Sequence, residues 1–166
     1  MDPLPLMESV ATYFARLLRE NLKEGIVSVV LYGSTARGRV GPDSDIDILI
    51  VARNLPEEYH RRINLIFPLL IQTYRSPAYQ KLGQWGLHPK IEYLLLDEEE
   101  AQSISGIDLD LLTDHRILYD SGFFAKKMAR LLKRLKRLGA KKVVVNRNAW
   151  YWDLKPDLKP GEEIEL

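Results

Sequence analysis

Two acids one residue apart, Asp45 and Asp47, open the apolar run "DIDILIV", and a Gly-Ser pair, Gly33-Ser34, follows the apolar run "IVSVVLY" a few residues earlier. If the second run is a strand, its side chains alternate. Asp45 and Asp47 then share a face, with Cα atoms roughly 6.6 Å apart at ~3.3 Å per residue, while Ile46, Ile48 and Ile50 take the other face. Two such carboxylates repel, and burying them without a counter-charge costs several kcal/mol. Hard divalent cations relieve the repulsion, and ligands made only of oxygen suit Mg2+ or Mn2+. A pair of such ions bridged by carboxylates serves phosphoryl transfer, clamping the attacking and leaving oxygens.

The Gly33-Ser34 turn suits the other half of that chemistry. Glycine lets backbone approach a ligand closely, and N–H groups at the start of a following helix attract phosphate. Ser34 adds a hydroxyl, and Arg37 or Arg39 can neutralise phosphate oxygens; the sequence leaves open which of them faces inward. "GSTARGRV" spaces its glycines as a P-loop does, but Arg39-Val40 stand where Lys-Ser/Thr belongs, so that motif is excluded. A charged turn guarding a sheet edge would account for Asp43 and Asp45. It does not account for Asp47, flanked by Ile46 and Ile48.

Such residues need a sheet to hold them, and the hydrophobic pattern supplies one. An amphipathic helix is expected over 7–23, with Val10, Phe14, Leu17 and Leu18 on one stripe, ending at Gly25. Strands follow over 26–32 and 45–51, both reading as core. Residues 57–82 read as helix, kinked or divided at Pro68. "KIEYLLL" is a third strand, and "DEEEAQ" after it is expected to start a helix with acids in its first turn. The segment 106–120 reads as a short helix and then an extended piece, "RILYD". The strongest stripe, Phe124, Met128, Leu131, Leu135 and Leu138, predicts a helix over 123–138. "KKVVV" suits a last short strand, and "WYWDLKPDLKPGEEIEL" an irregular tail. The order predicts an α/β (α+β) domain, a small mixed sheet flanked by helices. Residues 1–120 would form its body, with a basic helix and aromatic tail over 121–166.

Composition narrows the class. Across 166 residues, 46% hydrophobic and 28% charged content fit an ordinary globular chain with a real core. The formal charge of +1 gives no global field toward nucleic acid or membrane. The absence of cysteine excludes disulfides, thiolate metal sites and cysteine nucleophiles. "MDPLPLMES" carries an acid where a signal peptide carries positive charge, and the apolar stretch 63–71 is interrupted by Asn64 and Pro68. A cytoplasmic location with no membrane contact is expected.

Gly-Ser, then ten residues, then Asp-Ile-Asp, between two apolar strands, resembles the nucleotidyltransferase superfamily of DNA polymerase beta. The minimal nucleotidyltransferases and the kanamycin nucleotidyltransferases share the pattern, and the resemblance covers residues from about 7 to 120. It implies the nucleotidyltransferase fold and a nucleoside triphosphate bound with Mg2+ (or Mn2+). Gly33 and Ser34 would hold the triphosphate, helped by Arg37 and Arg39, and Asp45 and Asp47 would hold the metal. A nucleoside monophosphate, AMP from ATP being favoured, would pass to a hydroxyl of a protein or small molecule with release of pyrophosphate. The superfamily usually adds a third carboxylate from a neighbouring strand. Glu92 is the best candidate, as metal ligand or general base. Against that stands an outward-facing Glu92 paired with Lys90. Asp97 reads as a helix N-cap, and Asp108 and Asp110 are weaker candidates. Many small members are antitoxins of helical ribonuclease toxins, so a helical protein partner is expected, or a homodimer that completes the acceptor site. The alternatives are a non-catalytic nucleotide-binding module and a modifier of nucleic-acid ends.

The remaining signals are weaker. His60, His88 and His115 match no metal-binding spacing and suit surface or capping roles. The run of Lys and Arg without an acid between Asp120 and Asp153 suits a solvated helix face better than a nucleic-acid surface. Trp150 and Trp152 share a face if extended, and anchoring the tail to the core is favoured over stacking on a base.

Overall fold

Ile26–Tyr32 (β1) is buried along its length up to the half-buried Tyr32, as its mostly apolar sequence rich in β-branched residues requires, and it occupies the interior of a sheet. In this computed structural model, which describes residues 2–146, 149–159 and 161–164, β1 pairs antiparallel with Ile46–Ala52 (β2) on one side and with Arg116–Asp120 (β4) on the other. β2 in turn pairs in parallel with Ile91–Asp97 (β3), so the sheet is mixed and runs β3-β2-β1-β4.

Helices cover both faces. Leu4–Leu22 (α1) starts with proline in its first turn, where the missing N–H costs nothing. It buries Met7, Val10, Phe14, Leu17 and Leu18 against Ile46, Ile48 and Ile50 of β2. Each such side chain contributes roughly 1.5–3 kcal/mol. Tyr59–Tyr74 (α3) and Pro77–Gln84 (α4) add Ile66, Leu69 and Leu82 to that layer. On the other face Val27, Val30, Leu49 and Val51 meet Phe124, Met128, Leu131 and Leu135 of Phe123–Leu138 (α6) and Leu111 of Gly106–Leu111 (α5). The strand alternation that sends Ile46, Ile48 and Ile50 to one layer thus sends Asp47, Leu49 and Val51 to the other.

Three expectations change. The division in 57–82 falls at Ser76-Pro77, not at Pro68: Ser76 Oγ accepts from Tyr79 N at 3.3 Å and Pro77 opens α4. Pro68 sits inside an unbroken α3, exposed, between the buried Ile66 and Leu69 that hold the turn in place. The acidic segment after β3 makes only a 3-10 turn, Glu100–Gln102, because a separate capping box at Ser105 and Asp108 starts α5 afresh. The aromatic tail is not irregular at its start: Lys141–Asn146 (β5) and Ala149–Asp153 (β6) form an antiparallel hairpin. Trp152 anchors it, its Nε1 donating to Leu109 O at 3.3 Å, while Lys142 Nζ lies 4.1 Å from the centre of the Trp150 ring. Among the described residues no helix is long and apolar enough to cross a membrane.

Candidate active site

β1 ends at Tyr32, and Gly33 turns the chain at φ +70° into a single helical turn, Gly33–Ala36 (α2). That left-handed conformation favours glycine. A second constraint is tighter. A Cβ built on Gly33 would overlap Asp47 Oδ2 and lie 2.9 Å from Asp47 Cγ. The missing side chain therefore makes room for the carboxylate as well as for the turn.

Register assembles the acids. Tyr32 of β1, Asp47 of β2 and Glu92 of β3 are direct cross-strand partners, one row at one end of the sheet. Neighbours in such a row face the same way. Asp45 stands one residue before β2 rather than inside the strand. It is fastened there: its Oδ1 accepts from Lys90 N at 2.8 Å, its carbonyl accepts from Thr35 Oγ1 at 3.0 Å, and Ile46 N donates to Lys90 O at 2.8 Å. One carboxylate oxygen of Asp45 is thus engaged by backbone.

The electrostatics follow the geometry. Burial pushes the Asp47 carboxyl above the usual carboxylate range, and Glu92 and Asp45 push it further, while Arg37 pulls it back. The Tyr32 phenol is raised by burial and then by Asp47 and Glu92. This is a negative focus, and Arg37 is a cation that draws the Asp47 carboxyl back down. Arg39, exposed like Arg37, closes the loop through its backbone N–H on Ser34 O at 3.0 Å. Ser34 is half-buried in α2.

Glu92 is exposed at its position in the edge strand β3, and the Lys90 pairing weighed against it does not form among the described residues. The other acids lie elsewhere. Asp97 Oδ1 accepts from Glu99 N at 2.9 Å and Glu100 N at 2.7 Å, the capping role expected of it. Asp108 is buried in an ion pair with Lys127 at 2.6 Å, and Asp110 is exposed on α5. His115 caps α5, with Nδ1 2.6 Å from Leu111 O.

Among the described residues no group of three or more His, Cys, Asp or Glu closes around a cation. Mg2+ commonly uses one or two carboxylates plus substrate phosphates. Asp47 with Glu92 or Asp45, beside a glycine that leaves space, is a donor set of that kind. Two residues escape sequence reading. Tyr32 belongs to the row, and its only signal is adjacency to Gly33. Thr35 looks like part of a glycine-rich turn, yet it is buried and holds Asp45 in place.

The family profile described as a nucleotidyltransferase domain matches residues 13–159. A Methanocaldococcus jannaschii protein provisionally named protein adenylyltransferase is 26% identical over 137 residues, 79% of this chain and 86% of its own length. A crystal structure of a provisionally named nucleotidyltransferase from Sulfolobus solfataricus is similar with a TM-score of 0.47 and 20% identity, covering 72% of this chain and 85% of that one. A chain from the complex of a tri-AMPylated Shewanella oneidensis HEPN toxin with an MNT antitoxin is similar with a TM-score of 0.41 and 16% identity, covering 80% of this chain and 92% of that one.

Proposed function

Since the chain belongs to the nucleotidyltransferase-domain family, we propose that this nucleotidyltransferase moves AMP from ATP to a hydroxyl of a protein partner, with Mg2+ or Mn2+ at its acids. The observation that carries the reading is the row Tyr32-Asp47-Glu92 set against a glycine whose absent Cβ makes room for Asp47. The name of the Methanocaldococcus jannaschii relative supports adenylyl as the group and protein as the acceptor.

Asp47, with Asp45 and Glu92, would hold the divalent ion. When bound, it would neutralise the carboxylates and draw charge from the phosphates. Gly33 and Ser34 give the triphosphate its floor, and Arg37 balances phosphate charge. The acceptor oxygen forms a bond to the α-phosphorus, the α–β phosphoanhydride bond breaks, and pyrophosphate leaves. The acceptor proton goes to Glu92, whose exposure lets an incoming hydroxyl reach it. The acceptor expected from the sequence, a small helical toxin for which this chain would be the antitoxin, belongs to the same proposal. So does a homodimer that completes the acceptor site.

ATP labelled at the α-phosphate tests the reading. With Mg2+, label should pass to a helical protein partner, pyrophosphate should be released, and Asp47→Asn should abolish both. ATP binding without labelling of any protein would favour a non-catalytic binding module. Labelling of an RNA end alone would favour the nucleic-acid alternative.

A further inference from the structure

The Asp47 face of the sheet carries a second feature that the transfer reaction does not use. Between β2, β3, α5 and α6 lies a cavity of about 250 Å3 whose wall includes Leu49, Val51, Leu94, Leu96 and Phe124. An apolar cavity of ~150 Å3 stays dry and takes up benzene. This one has room for a substituted ring or a short alkyl chain.

Its wall is interrupted by a buried ion pair. The Lys127 and Asp108 side chains, 7% and 3% exposed, meet at 2.6 Å, and Lys127 Nζ also donates to Ser103 O at 3.0 Å. Asp108 accepts further from Ser105 N at 2.7 Å and Ser105 Oγ at 3.1 Å. Buried pairs of this kind add little net stability compared with apolar residues of similar volume. An ammonium has three donors, and among the described residues two are accounted for.

Lys127 and Ser103 also line an adjoining cavity of about 180 Å3, together with Arg130 and Arg134. Lys127, Arg130 and Arg134 are spaced i, i+3, i+7, so they form one stripe of α6. An apolar chamber and a basic chamber thus meet at a buried lysine. Tyr32, Asp47 and Glu92 line neither.

We propose that the two chambers form a binding site for a small amphipathic anion: a carboxylate carrying a short apolar body. The body lies among Leu49, Leu94 and Phe124, and the carboxylate meets Lys127 and Arg130 at the junction, with Arg134 completing the basic wall. The site is separate from the acid row and does not depend on the transfer reaction.

Calorimetric titration of the full chain with octanoate, octanol and inorganic phosphate tests this. Octanoate should bind at one site, and octanol at least ~10-fold more weakly, the scale of hydrogen bonds to a charged group. Phosphate should bind more weakly than octanoate. Arg130→Gln with Arg134→Gln, on the outer part of α6, should reduce the preference for octanoate over octanol to the part that Lys127 holds, while ATP binding stays unchanged. Ala101→Leu, which extends an apolar side chain into the cavity, should weaken octanoate and octanol together; if that variant does not fold, the arginine pair decides. Equal affinity for octanoate and octanol, no octanoate binding, phosphate binding as tightly as octanoate, or displacement of octanoate by ATP would each overturn the proposal.

Discussion

Gly33→Ala should do two separable things. The backbone at φ +70° costs a non-glycine residue roughly 1–2 kcal/mol. The new Cβ would also overlap Asp47 Oδ2 and stand 2.9 Å from Asp47 Cγ. Turning that carboxylate aside takes it off its rotamer, at about 0.5–1.5 kcal/mol. The sum, ~1.5–3.5 kcal/mol, lowers the melting temperature of a chain this size by ~3–14 °C. Gly139 is the matched control: its φ is +69°, and nothing lies within 4 Å of a Cβ built there. Gly139→Ala should therefore cost only the backbone part, ~1–2 kcal/mol. The two variants should separate most in turnover. Misplacing a reacting group by ~1 Å can cost ~10²-fold, so Gly33→Ala should lose AMP transfer on that scale and Gly139→Ala should keep it. Urea denaturation and initial rates of label transfer measure both quantities. Equal stability losses with equal rates would show that Gly33 serves only the turn, and the account of the site would fail.

Asp47→Asn should raise the stability of metal-free protein at neutral pH. The folded state holds the Asp47 carboxyl above its ordinary range, by burial and then by Glu92 and Asp45, so the wild-type penalty is full above the folded value and vanishes below the unfolded one. Denaturation in a chelator should show the gap closing as pH falls through the carboxylate range; a gap that widens on acidification refutes the sign. Adding Mg2+ should stabilise the wild type and not the variant, read as a melting shift. Glu92→Gln should keep ATP affinity and lose transfer by ~10²-fold or more, the scale of a missing general base; unchanged transfer would make Glu92 a surface residue. Lys127→Met should cost ~3–5 kcal/mol by stranding buried Asp108, and adding Asp108→Leu should recover all but the ~1 kcal/mol of the lost Ser105 cap. A denaturant double-mutant cycle measures that, and no recovery would mean the pair is not acting as a pair.

The sheet was legible because alternation is a local property: "IVSVVLY" and "DIDILIV" show their faces without reference to the rest of the chain. Gly33, Asp47 and Glu92 could be singled out for the same reason, as residues that break an apolar pattern. What sequence could not show was pairing. The register that sets Tyr32 beside Asp47, and the hydrogen bond that fastens Asp45 to Lys90 N, depend on residues that are distant in the chain. Arg37 and Arg39 look alike in sequence because the turn at Gly33, which sets their positions relative to Asp47, is not a property of either residue. The helix division was misplaced because Pro68 is the more conspicuous breaker, whereas Ser76-Pro77 supplies both a cap and a first-turn proline. The β5–β6 hairpin was missed at its second strand because the prolines that follow Asp153 colour the whole tail, although they lie outside the paired segment.

The β2–β3 pair is fastened at both ends. Asp45 and Lys90 lock its start. At its far end Arg62, only 13% exposed, reaches Glu100 at 2.7 Å, Asp97 at 3.4 Å and Pro56 O at 2.6 Å, and Arg53 pairs with Glu98. Two parallel strands stopped at both ends behave like a ruler that cannot slide. Deleting Ile46 or Ile91, between the first stop and the acids, would set Ile91 or Tyr93 opposite Asp47 in place of Glu92 and turn the remaining side chains to the wrong layer. Length changes in 86–88, before the Lys90 stop, would leave the scale intact. Loops on this scaffold are free to diverge around a fixed pair of acids, and the strands are not.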